Sequence, residues 1–328
     1  MGDEHDLDGA IRRADLDELL RLIEGLCAMR DWDALAALRE RCARAQESGR
    51  QLWPVASHAA YRLALEAPAP WSAAVLVDDA TTFALGPLPE VAAQAHAWHD
   101  LAPHVRAGAA AVLAAHERVV RGEDLSGIEL PGPAVLELPQ RLTEWEPRYV
   151  LAEYEAHTAD FPAPRLPAFG SVTLPDAPRR VERDEACVAL VDLVRAWTTR
   201  SDGRADAVAV TGDALAAIAG LGVHRARVAA LGPDDSLALM AWAGASGGAH
   251  GRRPGAAAGR FAAWWVAGAL TGLLEDWPPE PEQLGAAWSA LRFFAWDAGE
   301  PATGWQLHLA VEDPSRGQAW AMAAVDAR

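Results

Sequence analysis

One serine of the chain stands in the pattern of a hydrolase nucleophile. Ser246 lies at the centre of Gly-Ala-Ser-Gly-Gly, which matches G-x-S-x-G, and Asp297 and His308 follow it in the order acid, then histidine. In α/β-hydrolases such a serine occupies a sharp turn from a strand into a helix. The next helix is predicted to begin only at Pro254, which is several residues too late. Catalysis by Ser246, Asp297 and His308 is therefore the alternative interpretation.

The same stretch can also be interpreted as a loop that binds an anion. The chain has a formal charge of −17, yet no Asp or Glu occurs between Ser236 and Leu274. The candidate ligand-binding residues are Gly247, Gly248, His250, Arg252, Arg253 and Arg260. Free N–H groups at a helix start and guanidinium groups bind phosphates and carboxylates. The spacing fits neither a P-loop nor a dinucleotide-binding fingerprint. The anion is therefore unspecified. The alternative is a surface loop whose arginines pair with acidic groups of the same protein or of its partner.

A third group of residues has the spacing of metal ligands. His96 and His99 are three residues apart and would share one face of a helix, and Asp100 could add an oxygen ligand. The sequence contains no H-E-x-x-H motif. A solvated or capping role is the favoured interpretation, and we expect neither a metal nor another cofactor.

Composition and charge exclude several classes of protein. The 46 acidic residues outnumber the 29 basic ones, which disfavours nucleic-acid binding because that needs a clustered basic face. Cys27, Cys42 and Cys187 are odd in number and far apart, as in reduced cytosolic proteins. The acidic N-terminus lacks the pattern of a signal peptide. The strongly apolar segment Phe261–Leu274 is too short to span a membrane. We expect a cytoplasmic protein with no membrane partner.

Two parts of the chain with different patterns must position these residues. The first part has the pattern of short amphipathic helices separated by Pro and Gly. Helices are predicted after Asp15, Asp31 and Pro54 and over Leu88–Trp98 and Pro103–Val120. This pattern favours an irregular HEAT-like helical repeat, with a plain helical bundle as the alternative.

The second part mixes strands with helices. Strands are predicted over Ala207–Gly212, Arg227–Leu231, Ser236–Trp242, Arg292–Trp296, Trp305–Val311 and Ala319–Val325. The last three alternate apolar and polar residues and indicate an antiparallel three-stranded meander. Helices are predicted from Asp184 to Thr198, after Asp213 and over Pro254–Leu274. The predicted fold class is α+β, with a mostly helical N-terminal half.

A proline-rich segment separates the two parts. The segment Phe161–Pro178 contains five prolines, and such density is typical of extended connectors. The predicted organisation is a helical domain over 1–160, a proline-rich linker over 161–183 and a Trp-rich α+β domain over 184–328.

Three stretches resemble an uncharacterised actinobacterial protein family of unknown function. They are Phe83–Ala93, Ala245–Arg253 together with Gly255–Trp265, and Leu309–Pro314. Because both parts of the chain contribute, the resemblance covers most of the sequence. It implies no activity, ligand or functional residue.

The leading hypothesis is therefore a non-enzymatic protein that binds a protein partner or a small anionic ligand. The predicted helices offer an interaction surface, and the loop over 246–260 offers a ligand site. The alternative is a serine-type hydrolase or transferase that uses Ser246. The position of this serine relative to the histidines separates the two hypotheses.

Overall fold

The structure, a computed structural model, describes residues 9–47, 49–77, 85–176, 178–299 and 303–327. Its internal contacts divide the chain into two units. Unit 1 comprises residues 1–136 and 152–160, and unit 2 comprises residues 137–151 and 161–328. The domain limits given above, with a linker over 161–183, stay a prediction that expression of the separate pieces would test.

Unit 1 is mostly helical. Its helices are α1 (Leu16–Met29), α2 (Trp32–Glu47), α3 (Trp53–Glu66), α4 (Ala69–Ala74), α5 (Leu88–Ala95), α6 (Trp98–Leu101) and α7 (Ala109–Val120). The short strands β1 (Glu153–Tyr154) and β2 (Ala159–Asp160) pair antiparallel. The helix predicted over 103–120 begins only at Ala109, because Pro103 and Gly108 interrupt the pattern before it.

Aspartate side chains fix the starts of the first two helices. The carboxylate of Asp15 accepts a hydrogen bond from the backbone N–H of Glu18 at 3.1 Å. The carboxylate of Asp31 accepts one from Ala34 at 3.1 Å. Such N-caps satisfy donors that the first turn of a helix leaves free. The predicted starts of α1 and α2 are therefore confirmed.

Unit 2 consists of a large antiparallel sheet and the helices that pack on it. Its strands are β3 (Gly170–Val172), β4 (Arg179–Val181), β5 (Arg204–Thr211), β6 (Ala226–Leu231), β7 (Arg292–Asp297), β8 (Trp305–Asp313) and β9 (Gln318–Asp326). Its helices are α8 (Glu185–Leu193), α9 (Arg195–Arg200), α10 (Ala214–Gly220), α11 (Pro233–Ala245), α12 (Ala256–Thr271) and α13 (Pro281–Ser289). Within the described residues the sheet order is β3-β6-β7-β8-β9-β5-β4. The α+β fold class and the C-terminal meander, β7-β8-β9, are confirmed.

One predicted strand is a helix. The segment Ser236–Trp242 lies inside α11, so that prediction is wrong. A short apolar run does not by itself distinguish a strand from a buried helix. The better signals lie just before it, where Pro233 opens the first turn and Asp234 and Asp235 follow.

The long helix predicted over Pro254–Leu274 is observed as α12. Gly272 ends it in a left-handed conformation with φ of 76°, which favours glycine. Arg260 and Trp264 lie on its buried side. In the part of the chain that the structure describes, no helix has the length and apolar character to cross a membrane.

The two faces of the sheet carry different helices, and this decides which side chains can meet. Side chains alternate between faces along a strand. On one face, Trp305 of β8 stacks on Trp242 of α11, with ring centroids 5.1 Å apart. On the other face, Trp296 of β7 and Ala310 of β8 share a core cluster with Ile218 of α10. A side chain of β8 therefore reaches either α11 or α10.

Candidate functional site

Ser246 occupies a structural position at the end of a helix. It follows α11 as its C-cap and is completely buried. Its Oγ donates to the carbonyl of Ala243 at 2.9 Å and accepts from Nε1 of Trp197 at 2.7 Å. A nucleophile elbow needs a strand before the serine and an exposed Oγ after it. Ser246 has a helix before it and a hydroxyl that is occupied on both sides.

The structure does not bring Asp297 and His308 to Ser246. The ring of His308 stacks on Trp296 at 4.5 Å, which places it on the α10 face of the sheet. Ser246 ends α11 and therefore lies on the opposite face. Asp297 forms a two-pronged pair with Arg227, with both N···O distances at 2.9 Å. The three residues of the hydrolase alternative do not form a catalytic triad in this structure.

The glycines of the predicted anion loop form a tight turn above a carboxylate. A Cβ on Gly247 or on Gly251 would lie 2.2 Å from the other's carbonyl oxygen. Gly248 has φ of 72°, and a Cβ there would lie 2.0 Å from Oδ2 of Asp326. The backbone N–H of Ala249 donates to the same oxygen at 2.6 Å. One N–H group of this loop therefore already binds an anion, which belongs to the protein itself.

Asp326 is buried with only one of its oxygens hydrogen-bonded. It lies at the end of β9 and is completely buried, and among the described residues its Oδ1 has no partner. Its cross-strand neighbour is Trp305 of β8. The Nε1 of Trp242, which stacks on Trp305, is likewise buried without a partner there. Unsatisfied buried polar atoms are rare in folded proteins, so each of these atoms needs an explanation, as do the Nε1 atoms of Trp145 and Trp296, which have no partner among the described residues either.

Two of the three arginines predicted for the anion site lie in the loop itself. The guanidinium carbon of Arg253 is 3.6 Å from the ring centre of Phe161, a cation–π contact. Phe161 stacks in turn on Trp242 at 6.2 Å. His250 and Arg252 are exposed. The loop therefore presents His250 and Arg252 on its outer, exposed side, while Arg253 packs on an aromatic cluster.

The third predicted arginine, Arg260, is bound to an internal carboxylate. Its side chain is 1% exposed, and Nε and Nη2 donate to Glu146 at 2.6 and 2.8 Å. The carbonyl oxygens of Pro139 and Arg141 accept from Nη1 and Nη2 at 2.9 and 3.0 Å. Arg260 is therefore part of a buried ion pair, and its guanidinium is not available to a ligand of the loop.

Donors of the protein itself also surround the carboxylate of Glu146, just as acceptors surround Arg260. It also accepts from Nε1 of Trp264 at 3.0 Å, from Oη of Tyr149 at 2.6 Å and from the backbone of Thr143 at 2.9 Å. Burial alone would raise the pKa of Glu146, but the hydrogen bonds and charge of Arg260 outweigh it and hold the pKa below its usual value. The protein itself fills the hydrogen-bonding positions of both partners, which leaves no position for a ligand.

The two histidines predicted as metal ligands belong to different helices. His96 is the C-cap of α5, and its Nε2 lies 3.0 Å from the carbonyl oxygen of Ala67. His99 belongs to α6, is 79% exposed, and lies 3.3 Å from Asp100. The two histidines therefore share no helix face, and His96, His99 and Asp100 do not form a three-ligand site.

A different set of side chains converges in unit 1. Glu24 of α1, His58 of α3 and His157, which follows β1, each place one ligand atom within 4.8 Å of the others. The Nε2 of His58 is 3.4 Å from Oε1 of Glu24, and the Nε2 of His157 is 3.6 Å from Oε2. Within the described residues, no other group of three His, Cys, Asp or Glu side chains has this spacing.

Arg62 fixes the carboxylate of this cluster. The Nη1 of Arg62 donates to Oε1 of Glu24 at 2.6 Å, while its Nε and Nη2 donate to Glu66 at 2.6 and 3.2 Å. Burial would raise the pKa of Glu24, but the hydrogen bond and charge of Arg62 outweigh it and lower the pKa. Burial also lowers the pKa of His58. The carboxylate is thus held ionised, and the neutral form of the His58 imidazole is favoured.

The sequence gives only a weak signal for this cluster. His58 is 34 residues from Glu24, and His157 lies in another segment, so no short motif links the three. The one local signal is that His58 interrupts the apolar run of α3, in which Val55 and Leu63 are buried. A polar residue in such a run predicts a buried partner but does not say which one.

Comparison with known proteins identifies the family but not an activity. The model of DUF6183, a family of unknown function, matches residues 17–328. The chain belongs to this family. The resemblance to a family of unknown function is thereby confirmed, while the actinobacterial origin stays a prediction. Phe83, which opens one of the resembling stretches, lies outside the described residues. No curated protein and no solved structure matches the chain.

Proposed function

We propose that the protein is a non-enzymatic ligand-binding protein and that unit 2 binds a small organic cation beneath the loop of residues 246–251. The observation that carries the proposal is the buried carboxylate of Asp326, whose Oδ1 has no partner among the described residues. A buried carboxylate is costly unless it is paired or fully hydrogen-bonded. An N–H group of a bound ammonium ion would supply the missing donor and the missing charge.

The surroundings of Asp326 suit a cation. Trp305 is its cross-strand neighbour, and Trp197 stands edge-on to Trp305 with ring centroids 6.3 Å apart. Aromatic faces attract cations, most strongly where water is excluded. The same aromatic cluster already holds one cation, since the Arg253 guanidinium lies on Phe161. A second, external cation between the aromatic rings and Asp326 would use the same chemistry.

The glycine turn lies against Asp326. Gly248 lies directly over the carboxylate, and the N–H of Ala249 is bound to it. Because Asp326 is completely buried, we expect this turn to move when a ligand binds Oδ1. Glycines at 247, 248 and 251 give the backbone a freedom that other residues would restrict.

An anion bound on the outer side of the loop is the second candidate. His250 and Arg252 are exposed, and the stretch around them carries no acidic residue. An inner anion site is less favoured, because the N–H of Ala249 and the side chain of Arg260 already bind internal carboxylates.

Thermal unfolding in matched salts tests the proposal. We expect methylammonium chloride to raise the melting temperature above that in potassium chloride of equal ionic strength, because ligands of the folded state stabilise it. Tetramethylammonium has the same charge but no N–H group, so it should produce a smaller rise. In Asp326→Asn the difference between the salts should disappear.

Two results would overturn the cation proposal. One is an equal melting temperature in all three salts, and the other is an undiminished methylammonium effect in Asp326→Asn. A rise in potassium phosphate that is lost when Arg252 and Arg253 are both changed to Ala would support the anion instead.

A further inference from the structure

We propose that unit 1 binds a divalent transition-metal ion through Glu24, His58 and His157. The three ligand atoms lie within 4.8 Å of one another, although they come from two helices and from the connection after β1. This site is independent of the ligand proposed for unit 2, so either proposal can fail without the other.

The spacing of the ligand atoms can be compared with that of a tetrahedral site. At bond lengths of about 2.0–2.1 Å, two ligands at a tetrahedral angle are about 3.3 Å apart. The Nε2 of His58 lies 3.4 Å from Oε1 of Glu24 and the Nε2 of His157 lies 3.6 Å from Oε2, while one ligand atom from each of the three residues lies within 4.8 Å of the others. An ion that contacts one oxygen of Glu24 and both imidazoles therefore requires these side chains to move closer together.

The donor set selects the class of metal. Two imidazole nitrogens with one carboxylate oxygen suit Zn²⁺, Co²⁺, Ni²⁺ or Cu²⁺, whereas Mg²⁺ and Ca²⁺ prefer oxygen ligands alone. Three protein ligands leave a further position for water or for another molecule. The side chains of Glu24 and His157 are 43% and 63% exposed, so an ion can enter from solvent.

The neighbouring charges support a metal at this position. Arg62 holds Glu24 in place, as second-shell hydrogen bonds do in metal sites. Arg62 pairs with Glu24 and with Glu66, so two carboxylates share one positive charge. One negative charge of these three groups therefore remains to offset part of the charge of the ion.

The rings of the two histidines are also arranged together. His58 and His157 stack with centroids 5.8 Å apart and an angle of 21° between their planes. Both rings point their Nε2 atoms at the two oxygens of Glu24. A hydrogen-bonded network without a metal is the competing explanation, and metal affinity distinguishes the two.

Calorimetric titration with ZnCl₂ tests the proposal on the full chain, freed of affinity tags and of metal. We expect one Zn²⁺ per chain for the wild type and binding at least tenfold weaker in His157→Ala. Because His157 is exposed, its replacement should leave the far-ultraviolet circular dichroism unchanged. Glu24→Gln provides a second variant that retains the hydrogen-bonding shape of the side chain.

His99→Ala is the matched control. His99 is exposed and lies 3.3 Å from a carboxylate, so it would bind metal as well as any surface pair does. We expect its loss to leave the affinity and the stoichiometry unchanged. The proposal is overturned if the wild type shows no saturable binding, or if His157→Ala and Glu24→Gln bind Zn²⁺ as the wild type does. Loss of binding in His99→Ala alone would show an adventitious surface site and would also overturn it.

Discussion

Two buried arginines of this protein bind carboxylates, and they do so in opposite surroundings. In unit 2, Arg260 binds Glu146, and both side chains are inaccessible to solvent. In unit 1, Arg62 is buried, but its partner Glu24 is 43% exposed. The carboxylate of Glu146 is surrounded by hydrogen-bond donors of the fold. The carboxylate of Glu24 also faces two imidazoles and solvent.

The difference shows how to separate a structural ion pair from a candidate binding site. Glu146 receives bonds from Arg260, Trp264 and Tyr149, so every ligand position is filled by the fold. Glu24 receives its strong hydrogen bond from Arg62, and its remaining neighbours, His58 and His157, are themselves metal ligands by type. An arginine in a sequence does not reveal which of these roles it has.

The largest effect is expected from Glu146→Gln. This change leaves the Arg260 guanidinium buried without its counter-charge, which typically costs about 3–5 kcal/mol of unfolding free energy. Urea unfolding followed by Trp fluorescence measures it. Asp192→Asn, which removes the exposed pair with Arg195, is the control and should cost less than about 1 kcal/mol. Equal losses in the two variants would contradict a structural role for the buried pair.

Glu24→Gln should have a small effect on stability and a large effect on metal binding. The unfolding free energy of the metal-free protein should fall by less than about 1 kcal/mol, because Arg62 keeps its pair with Glu66 and Glu24 is partly exposed. Affinity for Zn²⁺ should fall at least tenfold. A stability loss as large as that of Glu146→Gln would mean that both ion pairs are structural. It would contradict the proposed difference between Glu24 and Glu146.

Asp326→Asn sharpens the comparison with a third carboxylate, which is completely buried. Its Oδ1 has no partner among the described residues, so removal of the charge should stabilise the ligand-free protein by about 1 kcal/mol. Asp313 is the matched control, because its carboxylate is bonded to Ser315 and Arg316. Asp313→Asn should destabilise the protein by about 1 kcal/mol. Destabilisation of similar size in both variants would show that Asp326 has a structural role.

The smallest effect concerns pH and His308. Burial lowers the pKa of His308 more than the backbone hydrogen bond to Trp296 and the charge of Asp297 raise it. The unfolded chain then binds the proton more readily, so stability is full above about pH 6.5 and falls as the pH decreases through that value. Between pH 7.5 and 5.5, His308→Gln should lose less stability than the wild type, by a difference below about 1 kcal/mol. An equal or larger loss in the variant would contradict this assignment.

The elements of the fold could be predicted where local signals agree. Asp15 and Asp31 mark helix starts by capping, and the strands around Trp305 alternate as a half-buried sheet requires. The prediction of a strand over Ser236–Trp242 was wrong because a short apolar run does not distinguish the periodicity of a strand from that of a helix. The edge strands β3 and β4 were missed because proline-rich sequence around them hides a pairing that depends on distant strands.

The candidate sites could be predicted only in part. The glycine loop around Gly248 is visible as a local pattern in the sequence. Its partner Asp326 follows Ala249 by 77 residues, so no local pattern links them. Arg260 has the same residue type as the two loop arginines, and only the fold shows that it pairs with Glu146. The Glu24 cluster depends on three segments that meet in space, so no spacing in the sequence marks it.

The most direct test is an anomalous difference map, recorded at the zinc edge, from crystals of the full chain grown with one equivalent of Zn²⁺. We predict a single strong peak about 2.0–2.2 Å from the ligand atoms of Glu24, His58 and His157. A crystal without a peak at this cluster, or with its only peak at His99 and Asp100, would contradict the account. Glu24 would then not differ from Glu146 in its ability to bind a ligand.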